Sequence, residues 1–72
     1  MAESIKIKVK DLNTGKIDVF EVGLEDCMAD VLEAMGHNVN EYEVADGLTG
    51  RYFDKKTKFG ETDKTVFAIA KK

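Results

Sequence analysis

The segment Ile5-Lys6-Ile7-Lys8-Val9-Lys10 constrains the fold more than any other stretch of the chain. Apolar and cationic residues alternate at period two, so on a strand Ile5, Ile7 and Val9 share one face and the three lysines share the other. Such a strand is half-buried and needs a covering layer on one side only. Further along, the period changes. Met28, Val31, Leu32 and Met35 fall at i, i+3, i+4 and i+7, which is one stripe of an amphipathic helix. A sheet with one polar face and a single helix stripe to cover the other predict an α+β domain.

Size sharpens this expectation. The chain has 72 residues, read here as one domain over residues 1–72, and a domain of this size buries only about 60% of the surface its unfolded form exposes. One thin core must therefore suffice. Cys27 is the single cysteine, so no intrachain disulfide can staple the fold and packing has to hold it. Hydrophobic residues make up 43% and charged residues 35% of the chain, a balance that excludes the disordered, coiled-coil and membrane-spanning classes. Eleven basic and fourteen acidic side chains leave a formal net charge of −3, which argues against non-specific phosphate binding as the main task. The first ten residues alternate charge with apolar side chains instead of forming a signal-peptide core. The expectation is a cytoplasmic monomer with no membrane association.

Asp11, Asn13, Thr14 and Gly15 supply turn chemistry after the first strand, and Lys16 to Val22 reads as its hairpin partner. The apolar pattern changes phase between Val19 and Phe20, so either a bulge re-aims the chain or one face carries exposed apolar residues. Phe20 and Val22 are the pair expected inside. Asp26 is placed to cap the helix and Gly36 to end it, for a helix of about nine or ten residues. Tyr42 to Ala45 reads as a short strand, Asp46 to Gly50 as a turn, and Arg51-Tyr52-Phe53 as a further short strand. Thr65 to Ala70 is β-branched, aromatic and almost uncharged, as in a central strand. The predicted order is ββαβ(β)β, with the last strand returning beside the first.

The run from Thr14 to Val22 resembles the second-strand segment of ubiquitin, including its Thr-Gly-Lys turn and Glu-Val strand end. The similarity continues without a gap through Leu24-Glu25-Asp26 and the helix stripe to Met35, and Val9-Lys10 and Asp63 to Ile69 fit as well. The resemblance implies a ubiquitin-like β-grasp fold, a mixed sheet with one helix packed across one face. Members of that family that are conjugated, or that carry sulfur, end in Gly-Gly, whereas this chain ends Ala70-Lys71-Lys72. What the resemblance implies is therefore non-covalent binding of another protein through the open sheet face. It places Phe67 and Ile69 on that face, with Val44 as a neighbour. Strand alternation leaves a second possibility, in which Phe67 and Ile69 face the helix and the outer face holds Val66, Ala68 and Ala70.

The remaining chemistry-bearing residues point to no reaction. Cys27 stands at the helix start, where the dipole favours a thiolate, but His37, the only histidine, lies beyond the far end of the helix. That separation is too great for a nucleophile–base pair. His37 has no partner at metal-ligand spacing. Asp54, Glu61 and Asp63 lack the spacing of a calcium loop, and Gly47-Leu48-Thr49-Gly50 lacks the Lys-Ser/Thr of a phosphate loop. No catalytic residue, metal or cofactor is expected, and the chain is read as non-enzymatic. The alternative is nucleic-acid binding through Lys6, Lys8, Lys10 and the segment from Tyr52 to Lys58, where basic residues lie beside Tyr52 and Phe53.

Overall fold

The computed structural model describes residues 3–72. Four strands and one helix form two layers: β1 (Ser4–Asp11), β2 (Ile17–Gly23), α1 (Met28–Ala34), β3 (Tyr42–Asp46) and β4 (Val66–Lys71). The sheet is mixed, in the order β2-β1-β4-β3. β1 pairs antiparallel with β2 and parallel with β4, and β3 pairs antiparallel with β4. The architecture is α+β, with the last strand beside the first.

The β1–β2 ladder runs without a bulge from Ser4↔Gly23 to Lys10↔Ile17. Ile5, Ile7 and Val9 thereby face inward beside Val22 and Phe20, and the lysines face outward beside Glu21, Val19 and Ile17. The phase change in β2 is thus resolved by exposure. Ile17 and Val19 lie on the outer face at 59% and 58% exposure. Val22 is buried, and Phe20 is only half-buried at the margin of the core.

The helix is shorter than its pattern suggested, at seven residues. Cys27, not Asp26, is its N-cap residue: the Asp30 carboxylate accepts from the Cys27 backbone N–H at 3.1 Å, while Asp26 accepts from the Gly23 N–H at 2.8 Å. Asp26 therefore closes the turn before the helix. At the other end Gly36 adopts φ +83°, and Gly36 N–H and His37 N–H donate to Glu33 and Leu32 carbonyls, a Schellman closure. Met28, Val31 and Leu32 bury the stripe, with Met35 half-buried at its end.

Beyond β3, residue 52 makes only an isolated bridge to Ala45, not a full strand. The chain then wraps around the helix start. The Lys55 carbonyl accepts from Ala29 N–H, and Phe59 and Gly60 N–H groups donate to Asp26 and Leu24 carbonyls, each at 2.9 Å. Lys55 Nζ donates to the carbonyls of Val39 and Tyr42 at 2.7 and 3.1 Å. This wrapping inserts Phe53 and Phe59 into the core, where both rings meet Phe67 edge-on at 4.9 and 5.8 Å between centroids. Phe59, which begins a 3₁₀ turn (Phe59–Glu61), is 1% exposed. Phe59→Ala is expected to destabilise the domain by about 3–5 kcal/mol, measured by urea unfolding. A cost below about 1 kcal/mol would place the wrapping segment outside the cooperative core.

Candidate protein-binding face

Val44, Phe67 and Ile69 were expected on the open face through the resemblance, and the structure places them in the core. They are 2%, 0% and 0% exposed. Strand register is the reason. Phe67 pairs with Val9 and Ile69 with Val44, so both inherit the inward phase of β1, and the helix covers that face. The other phase of the last strand is the outer one.

That outer face is built of small residues. Ala68 lies between Ala45 and Lys10 across the sheet, and Ala70 lies beside Glu43. Two larger side chains stand over this floor. Leu12 continues the outward phase of Lys6, Lys8 and Lys10 past the end of β1, with its N–H donating to the Ile69 carbonyl at 2.9 Å. Tyr52 is carried to the same face by its bridge to Ala45. They are 55% and 76% exposed, and with the alanines and Gly50 they line a shallow depression of about 200 Å³. Sequence reasoning missed Leu12 and named Tyr52 only in the nucleic-acid reading, without placing it on this face. For Leu12 the signal was available, since it sits two residues beyond Lys10 in the same alternation; for Tyr52 it depended on a bridge between segments separated in the chain.

The lysines of β1 join this face. Lys6, Lys8 and Lys10 are exposed, and the ion pairs among the described residues are Lys58–Glu25 and Lys64–Asp46, so none of the three is neutralised by a neighbour within 4 Å. The second basic stretch is different. Lys55 is spent on two backbone carbonyls, and Lys58 bonds Glu25 at 3.0 Å, which raises the Lys58 pKa. Lys56 alone of the three has no side-chain bond among those formed by the described residues.

Beside the depression, Asp46 is a buried carboxylate at 3% exposure. It accepts from Lys64 Nζ at 2.6 Å, from Leu48 N–H at 2.9 Å and from Thr49 Oγ1 at 3.2 Å. The Lys64 bond, followed by the Leu48 N–H, holds its pKa below the usual aspartate value. The group folds the Asp46-to-Gly50 turn against the start of β4. Gly47 completes that contact, because a Cβ there would meet Val66 Cγ1 at 2.6 Å.

Cys27 and His37 stay apart. The thiol lies 3.4 Å from the Asp30 carboxylate, and the His37 ring stacks on Tyr42 at 4.3 Å beyond the opposite end of the helix. Among the described residues no group of three His, Cys, Asp or Glu side chains is placed to hold a metal ion, and no helix is long and apolar enough to cross a membrane. A larger cleft of about 380 Å³ opens at the hairpin end, between Phe20 and Met35 with Lys16, Asp18 and His37 on its rim. No protein-family model matches the chain, and no match is found among curated proteins.

Asp46 contributes stability that is fully present above the pKa an unfolded aspartate would have and is lost as pH falls through its lower folded-state value. Asp46→Asn is therefore expected to lower the urea midpoint at about pH 7 and to converge on the wild type as pH falls below the ordinary aspartate range. A deficit that stays constant across this range would assign the effect to packing and not to the carboxylate.

Proposed function

We propose that this chain is a ubiquitin-like β-grasp module without enzymatic activity, which binds another protein through the open face of its sheet. The observation that carries the reading is the exposed pair Leu12 and Tyr52 over a floor of Ala45, Ala68 and Ala70. An alanine floor lets a partner's side chain come close to the sheet, and the two flanking residues supply apolar area to grip it. Support for the β-grasp assignment comes from the parallel pairing of β1 with β4 and the single helix on the opposite face, together with the run of similarity from Val9 to Met35. The binding proposed for this face is non-covalent, through side-chain contact.

Because Leu12 and Tyr52 are exposed, L12S/Y52S is expected to change stability by no more than about 0.5 kcal/mol per site. The same double variant is expected to lose the species that the wild type retains in an unbiased pull-down. Identical retained sets from a folded double variant would move the binding surface elsewhere.

A second reading, binding of single-stranded nucleic acid, draws on one observation: Lys6, Lys8 and Lys10 share the outer face with Tyr52. Three phosphate contacts would make the affinity fall with salt at a log–log slope of about −2. Failure to shift an oligonucleotide at low ionic strength removes this reading.

A further inference from the structure

We infer that β2 is a self-pairing edge, through which two copies of this chain join their sheets about a two-fold axis at Val19. The two edges of the sheet are treated differently. Along β3, the returning chain occupies the edge: Phe53 N–H donates to the Val44 carbonyl, Asp46 N–H to the Arg51 carbonyl and Lys55 Nζ to the Tyr42 carbonyl. Along β2 no strand lies outside the edge among the described residues. An open edge of seven residues is a template for another strand; it holds no proline and no lysine, and its charged side chains are Asp18 on the inward phase and Glu21 on the outward one.

Its free groups can be assigned. Asp11 N–H donates to the Lys16 carbonyl, and the same phase continues through Val9↔Asp18, Ile7↔Phe20 and Ile5↔Val22. Backbone groups of even-numbered residues in β2 therefore point at β1, and those of Ile17, Val19 and Glu21 point outward. Gly23 N–H, next in that row, is already taken by Asp26. Three outward residues remain.

Charge selects the occupant and its register. If the axis passes through Val19, the outward residues pair as Val19 with Val19 and Ile17 with Glu21 twice, for roughly six hydrogen bonds, and no like charges stand directly opposite each other. On the helix side, this register sets Lys16 of the second copy opposite Val22. A groove of about 190 Å³ lies there, floored by Phe20 and Val31 and rimmed by Asp26 and Asp30. Lys16 has no ion pair in its own chain among the described residues, so the incoming ammonium finds two carboxylates on each side of the axis. Other centres fail this test. An axis at Asp18 or Glu21 opposes a carboxylate to itself, one at Phe20 sets Ile17 against the occupied Gly23, and one at Ile17 sets Val19 against Gly15, whose N–H is taken by the Asp11 carbonyl. A strand edge buries less than about 1,200 Å², the class of weak, reversible interfaces. The inference stands on residues other than Leu12 and Tyr52 and does not depend on the proposed binding face.

Sedimentation velocity of the wild type from about 10 µM to about 1 mM is expected to move from monomer to dimer. Val19 is exposed, so Val19→Lys and Val19→Glu each keep the fold, checked by circular dichroism. Each alone opposes like charges on the axis and is expected to weaken association by about tenfold or more. Their equimolar mixture is expected to restore it. Amide exchange at Ile17, Val19 and Glu21 is expected to slow with concentration in the wild type. A wild type that stays monomeric at about 1 mM overturns the inference and leaves the edge to a strand of another chain. Variants that dimerise as the wild type does, or a mixture that fails to recover, also overturn it.

Discussion

Phe67 is the side chain around which the rest of the molecule is arranged. It is fully buried on β4, opposite Val9 across the parallel pairing, and it takes two aromatic rings edge-on, Phe53 and Phe59. Both rings come from the long connection between β3 and β4, so one side chain joins the central strand to the least regular part of the chain. Edge-on aromatic pairs contribute about 0.5–1.5 kcal/mol each beyond the area they bury. In a domain with no disulfide, that is a sizeable share of a marginal total. Met28 and Leu32 close the same core from the helix, and both are fully buried.

The outer face follows from that placement. Once Phe67 and Ile69 point inward, pleating turns Val66, Ala68 and Ala70 outward. The small residues on β4 leave room between Leu12 and Tyr52. The chemistry available to a partner is thus the complement of what the core requires. The lysines of β1 add positive charge to one side of this face, while Asp26, Asp30 and Glu33 leave the helix side acidic. The formal net charge of −3 conceals this division.

The long connection also explains why the two sheet edges differ. Residues 51–53 hydrogen-bond along β3 because Phe53 must reach the core from that side, and covering the β3 edge is the by-product. β2 is connected to its neighbours only by a tight hairpin and a short turn into the helix, so among the described residues no strand pairs along its outer edge. Pairing of two such edges would place two open faces on one continuous sheet, a bivalent arrangement in which a repeated ligand gains from effective concentration.

Local pattern alone established the hairpin, the helix stripe of Met28, Val31 and Leu32, the Gly36 stop and the succession of the main elements along the chain, because alternation and helical spacing are properties of neighbouring residues. It also narrowed β4 to two possible orientations. Only tertiary structure chose between them: burial of Phe67 or of Ala68 depends on the register with β1 and β3, and register is settled by partners distant in sequence. The same reason hid Phe59 and Tyr52, whose positions follow from hydrogen bonds between the wrapping segment and Leu24, Asp26 and Val44. The helix cap passed from Asp26 to Cys27 because the Asp26 carboxylate is used by Gly23, a competition that composition does not reveal. The sequence by itself determined the four main strands and the helix, and that one sheet face stays uncovered. Which side chains occupy that face was decided by long-range pairing.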